Sequence, residues 1–303
     1  MLGSISVSSL TTPQRLRKYL AALRLPFNKS IKNILVSNNV QDAIDEVTDL
    51  ARLDYMFEAA KGNIEGASII QKFGHSDSIG TTLAVVSEGN IYQTPTTATA
   101  LEIVSSDAND TDGGSGAQTV TVYGLGADWK EQSETVTMNG TTAVALTKSY
   151  TRIFRAYVTT SGTYATATAG SHAGEITIRT SGAGASWALI KVNGLALGQT
   201  EIGVYTIPKG KTGYLVSLHA HVETNKQVDI YGFIRDNADD VVSPYSGALR
   251  VFYQAHGVTE DEDLSPRSAL GGFVGPCDIG FMAEVTTGTA GVGIEFELVL
   301  IDN

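Results

Sequence analysis

The apolar residues of this chain change their period once. Between Asn38 and Gly62, NNVQDAIDEVTDLARLDYMFEAAKG, the residues Val40, Ala43, Val47, Leu50 and Phe57 recur at three- and four-residue steps, and Ile44, Ala51 and Leu53 widen the stripe. That spacing predicts an amphipathic helix, started by Asn38 or Asn39 as N-cap and ended by Gly62 in a left-handed turn. From Leu83 onward the period is two. Alternation predicts strands at Ala100–Ser105, Gln118–Tyr123, Glu134–Met138, Thr151–Thr159, Glu175–Arg179 and Trp187–Val192, with turn clusters such as DANDTDGGSG, NGT and TSGAGA between them. A second series follows at Val204–Ile207, Gly213–Glu223, Val228–Arg235, Ala248–Gln254, Ile279–Thr286 and Val292–Ile301. Its last member, IEFELVLI, is strongly β-forming and is expected to be an interior or paired strand.

The expected architecture is therefore mainly β: an N-terminal helical arm and helix, then one or two antiparallel β-sandwich domains of jelly-roll type. The segments are a basic arm over 1–37, the helix over 38–62, a neck over 63–82, and sandwich domains over 83–195 and 196–303. The neck reading rests on GNIEGASIIQKFG, a connector with three glycines. A single continuous two-sheet body is the alternative to the boundary near residue 196.

Within the arm, Thr12-Pro13 opens a short helix and Pro26 stops it. Leu16, Tyr19, Leu20 and Leu23 form its apolar side, and Arg15, Arg17, Lys18 and Arg24 its basic side. These eight residues make a docking peptide for an acidic groove on another protein; packing on the parent body and an acid-free targeting presequence are the alternatives. The longer helix fits a 3.5-residue repeat as well as a 3.6 one. Val40, Ile44, Val47, Leu50 and Phe57 are thus candidates for a short bundle around a symmetry axis, against packing onto the chain's own sheets.

Charge sharpens this division. Residues 1–41 hold six basic side chains and no Asp or Glu, whereas the remainder holds 15 basic and 32 acidic ones. The body is expected to repel nucleic acid and anionic membranes. Only 17% of residues are charged, and Gly and Thr are abundant, as in β proteins with Thr- and Gly-rich surfaces. One cysteine, Cys277, excludes an intrachain disulfide. The opening MLGSISVSSL lacks the features of a signal peptide, and no run approaches the ~20 apolar residues of a membrane helix, so the expectation is a protein made in a reducing cytoplasm.

Candidate chemistry is sparse. Asp107, Asn109, Asp110 and Asp112 in SSDANDTDGG suggest a calcium loop, but no Glu stands twelve residues on, and the same residue types build turns. His219 and His221 fall on one face of a strand with Glu223 and are weak metal candidates; a solvent face is the alternative. The acidic run Glu260 to Asp263, with Asp236, Asp239 and Asp240, reads as solvated charge. Cys277 reads as a small buried residue. Trp129, Trp187 and the tyrosines suit either a sugar-binding surface or a core. Nucleophile elbows, phosphate loops, zinc-protease motifs and framed carboxylate pairs are absent, so no catalytic residue and no cofactor is assigned and a non-enzymatic protein is expected.

Four stretches carry a family resemblance. GNIEGASIIQKFG, then VSSDANDTDGGSGAQTVTVYGLGADWKEQSETVTMNGTTAV, RIFRAYVTTSGT and YTIPKGKTGYL resemble a module of virion structural proteins of tailed, especially marine, bacteriophages. SNNVQDAIDEV is similar to a short helix near the N-termini of tail-fibre and attachment proteins. The resemblance implies a virion component, assembled in the host cytoplasm, commonly trimeric and fixed to head, neck or tail by its N-terminus. It implies a short fibre or adaptor aiding host adsorption, with other virion proteins and a host surface glycan as partners. A capsid decoration protein and a glycan-binding module unrelated to phage are the alternatives.

Overall fold

The structure is a computed structural model and describes residues 55–162, 171–192, 198–223, 226–240, 249–264 and 269–303. It is mainly β, built of several antiparallel sheets. The docking peptide of the arm and residues 38–54 of the expected helix, with Val40, Ile44, Val47 and Leu50, lie outside the described residues. The chain divides into two compact units, Met1–Ile69 with Val299–Asp302, and Ile70–Leu298 with Asn303.

In the first unit, helix α1 (Tyr55–Ala60) is the described end of the expected long helix. It stops as its sequence predicts, with Gly62 at φ 74° and its N–H donating to the Ala59 carbonyl at 3.0 Å. Glu58 and Ala59 are its buried residues, whereas Phe57 is 61% exposed. Lys61 Nζ donates to Glu58 at 2.8 Å and lies 4.9 Å over the Phe57 ring.

The remaining strands in chain order are β1 (Ala67–Ile79), β2 (Ala84–Val85), β3 (Thr99–Ser105), β4 (Ala117–Leu125), β5 (Glu131–Thr137), β6 (Val144–Tyr150), β7 (Arg152–Ser161), β8 (Ile176–Thr180) and β9 (Ser186–Ile190). They continue with β10 (Val204–Ile207), β11 (Lys211–Val222), β12 (Val228–Asp236), β13 (Leu249–Val258), β14 (Glu262–Leu264), β15 (Leu270–Val274), β16 (Cys277–Val285) and β17 (Ala290–Asp302). Residues 99–190 supply two sheets, ordered β6-β3-β8-β9 and β5-β4-β7. The other two are β1-β17-β11-β14, with β15 also on β11, and β10-β16-β12-β13, with β2 also on β16. β17 sits between β1 and β11, the interior position expected for the last strand. One core draws on three of these sheets, joining Leu101 and Ile103 of β3 and Val120 and Val122 of β4 to Val204, Phe233 and Met282 of β10, β12 and β16.

Each strand expected from Ala100 onward is present, with ends moved by a few residues and Val204–Ile207 unmoved. The neck is not a connector. Ala67–Ile79 is a 13-residue strand paired with β17. Its buried positions from 72 to 76 are Lys72, Gly74 and Ser76, so the face that enters the protein shows no apolar alternation. Gly74 is there because two backbones meet. A Cβ on it would lie 1.9 Å from the Gly203 nitrogen and 2.5 Å from the Val86 carbonyl oxygen. Gly74→Ala is expected to cost roughly 2–3 kcal/mol, the upper range for forcing extra volume into a packed interior. A urea midpoint unchanged from the parent would show that the two backbones separate freely.

Candidate functional site

The sequence candidates take structural roles. Asp110 is buried, and its carboxylate accepts the Ala117, Ala173 and Gly174 N–H groups at 2.7–2.9 Å and the Ser105 hydroxyl at 2.5 Å. Asp107 accepts the Asn109 backbone N–H at 2.8 Å and its side-chain amide at 2.9 Å. The calcium-like loop is thus a turn tied down by its own acids. Asp236 pairs with Arg250, while Asp239 is half-buried and Asp240 exposed. Cys277 is buried, and burial pushes its thiol up to about 12, with Asp278 adding to the effect. Both tryptophans are buried, Trp129 beneath the Arg152 guanidinium at 4.9 Å and Trp187 donating to Thr180 Oγ1 at 3.0 Å, so neither lines a sugar-binding surface.

β11 alternates as expected. Leu218, Ala220 and Val222 are buried, while His219 is half-buried and His221 and Glu223 are exposed. His221 Nδ1 pairs with Asp261 Oδ1 at 2.5 Å, and in backbone register His219 stands opposite Asp263 of β14. Among the described residues, the two histidines are not brought to a shared set of three ligands.

The histidine that gathers carboxylates is His75 on β1. Its Nε2 lies 2.7 Å from Glu223 Oε1, and its Nδ1 lies 3.5 Å from both Asp77 Oδ1 and Glu201 Oε2. Elements distant in sequence converge here. Glu88 begins a single 3-10 turn, Glu88–Asn90, and its N–H donates to the Glu201 carbonyl at 2.9 Å. The Ser87–Ile202 bridge and the Gly203 N–H on the Val86 carbonyl at 2.9 Å hold the two acids side by side. Glu223 is placed by its own N–H, which donates to the Gly291 carbonyl of β17 at 3.0 Å.

Glycines make the floor of this trough. A Cβ on Gly291 would lie 2.3 Å from Glu223 Oε2, and one on Gly293 would lie 3.9 Å from both His221 and His75. Bare backbone on β17 therefore lets Glu223 reach across the central strand to His75. Lys191 pairs with Glu88 and lies 3.5 Å from Asp77 Oδ2. Burial raises the Glu201 carboxyl above its usual value; His75 opposes this, while Glu88, Asp77 and Glu223 reinforce it. Burial works against the Lys191 ammonium, yet Glu88 and Asp77 raise it overall. The chemistry on offer is cation binding: four carboxylates and one imidazole around a single lysine.

Sequence reasoning named Glu223, but only beside His219 and His221, and missed the others. His75 and Asp77 lay in the segment read as a neck, and Glu88, Glu201 and Glu223 have no common spacing. The one local signal was Gly291-Val-Gly293, two glycines on the same face of a strongly β-forming strand.

No family model matches the chain, and no curated protein matches it. Among solved structures it aligns with the VP2 protein of infectious bursal disease virus in T=1 particles at 11% identity, covering 78% of this chain and 74% of that chain, with TM-scores of 0.20 and, for a point mutant, 0.19. A VP2 subviral particle aligns at 9% identity over 78% and 77%, with a TM-score of 0.19. Superpositions this loose do not establish a shared fold, and no function is carried over from them.

Proposed function

We propose that this chain is a non-enzymatic structural protein of a bacteriophage virion, a short tail or neck appendage or adaptor held by its basic arm. The observation that carries the reading is that stretches bearing the phage resemblance also build the core. Val120, Val122, Val136 and Met138 come from one of them, and Ile153, Ala156 and Val158 from another. The antiparallel sheets, in this reading, are layers of jelly-roll-like sandwiches. The exposed Phe57 on α1 belongs to a helix that meets its copies in a homotrimer, and the arm residues 15–24 dock on another virion protein.

Light scattering on the full chain is expected to give about 96 kDa, three times the 32.0 kDa chain mass, at several concentrations. A monomer at every concentration removes the trimeric reading. Deleting residues 1–41 is expected to abolish attachment to particles while leaving the β body folded by circular dichroism. Truncated protein that still assembles onto virions removes the anchoring role. Many copies per purified particle, with capsids that break without the protein, would mark it as a decoration protein instead.

A further inference from the structure

The trough around His75 is rich in acceptors, and its inner members keep oxygens that no donor takes. Glu88 is 5% exposed; its contacts with the Gly89 N–H and with Lys191 both fall on Oε1. Among the described residues, Glu88 Oε2 takes no hydrogen bond. The Glu201 carboxylate meets His75 only at 3.5 Å, too long for a good hydrogen bond, and accepts no other among the described residues. Glu88 is largely shielded from water while the Glu201 side chain is 24% exposed, so oxygens with no donor of their own stand where a cation can reach them.

We propose that His75, Glu88 and Glu201 bind a divalent transition-metal ion of the zinc class, with Glu223 orienting the imidazole. One ligand atom from each of the three lies within 4.8 Å of the others. Ligands at zinc bond lengths in a tetrahedral site stand about 3.4 Å apart, which the 3.5 Å between His75 Nδ1 and Glu201 Oε2 matches. Glu223 at Nε2 holds the ring proton on that nitrogen, so the Nδ1 lone pair points at Glu201, the carboxylate–histidine–metal arrangement. A second trio, His75, Asp77 and Glu223, shares the same imidazole, but both of its acids are exposed and Asp77 also faces Lys191. An imidazole among carboxylates selects zinc-like ions over calcium and magnesium, which prefer oxygen alone. The Gly291 floor is what lets Glu223 take its place. This site is independent of the virion reading and does not use His219 or His221.

The test is titration of the untagged full chain with Zn2+ by calorimetry, with metal analysis after dialysis. One Zn2+ per chain is expected, together with a rise in thermal midpoint and, with Co2+ as probe, the visible spectrum of a tetrahedral ion. His75→Gln and Glu201→Gln are each expected to weaken binding by about 100-fold, and Glu223→Gln by about tenfold, as for a partner that orients a ligand. His221→Gln is expected to leave binding unchanged. If His75→Gln fails to fold by circular dichroism, Glu201→Gln, an amide of the same shape, decides. Absence of Zn2+ binding in the micromolar range overturns the proposal. So does equal affinity for Ca2+ or Mg2+ with no loss in Glu201→Gln, which is the behaviour of a diffuse acidic surface, or loss of binding in His221→Gln.

Discussion

Replacing Asp278 with Ala is expected to destabilise the protein by about 3–5 kcal/mol, the cost of breaking a buried ion pair by removing one partner. Arg152 and Arg235 are both 0% exposed and Asp278 is 1% exposed. The Asp278 carboxylate accepts Arg152 Nε at 2.9 Å and Nη2 at 3.0 Å, stands 2.8 Å from Arg235 Nη2, and takes the Thr206 hydroxyl at 2.5 Å. Arg152 is further fixed by donating Nη1 to the Pro95 and Thr151 carbonyls at 2.7 and 2.8 Å. Without the carboxylate, two guanidinium groups remain in the interior with no counter-charge between them. Asp278→Asn keeps the shape and removes the charge, so it should lose nearly as much. Thr206→Val removes a hydrogen bond to a charged acceptor, together with the 2.7 Å bond between the Thr206 and Tyr92 hydroxyls, and should cost at least about 1.5–3 kcal/mol. Equilibrium urea unfolding at pH 7 checks the series. A loss below about 1 kcal/mol in Asp278→Ala would mean that water or rearrangement neutralises the pair of arginines.

That network shows where the sequence was legible and where it was not. Period-two alternation exposed strands such as β4, where Val120 and Val122 are fully buried and Thr119 and Tyr123 half-buried, although Thr121 between them is buried too and β16 is buried on both faces. The same test failed on β1, whose buried face carries Lys72, Gly74 and Ser76. Their presence is explained by what lies opposite, namely the Phe154 carbonyl and the Gly203 backbone, both distant in sequence, and Asn90, 14 residues from Ser76. Arg152 and Asp278 stand 126 residues apart, and no local pattern around either one signals the pair. The trough is the same case: His75 and Glu223 are 148 residues apart and meet across β17. Local patterns report which face is buried; they do not report which polar groups the topology will bring together. Hence the histidine pair with visible spacing, His219 and His221, drew attention, and His75 did not.

Lys72→Met is expected to stabilise the protein in mild acid, and the effect should reverse at high pH. Lys72 is 7% exposed, and burial, reinforced by the nearby Arg155 charge, pulls its ammonium down to about 7. Its Nζ donates to the Phe154 carbonyl. That carbonyl sits at a bulge, since β4 pairs Tyr123 with Arg155 and Gly124 with Ile153, leaving Phe154 with no opposite residue. The lysine thus meets an acceptor that the irregular ladder leaves over. Below the folded value the charged form is buried and its full penalty is present. Between about 7 and 10.5 the unfolded chain holds the proton and the folded one has released it, so stability rises with pH; above the unfolded value the penalty is gone. The difference corresponds to roughly 5 kcal/mol at 1.36 kcal/mol per pH unit. Methionine removes that penalty but strands the Phe154 carbonyl, at about 1–3 kcal/mol. The variant should therefore be more stable than the parent at pH 6, lose its advantage as pH rises, and fall below the parent near pH 10. Urea midpoints of both proteins from pH 6 to pH 10 measure the difference directly, with all other titrating groups cancelling. A difference that stays flat across that range would mean that the Lys72 ammonium remains protonated in the fold and is solvated by water.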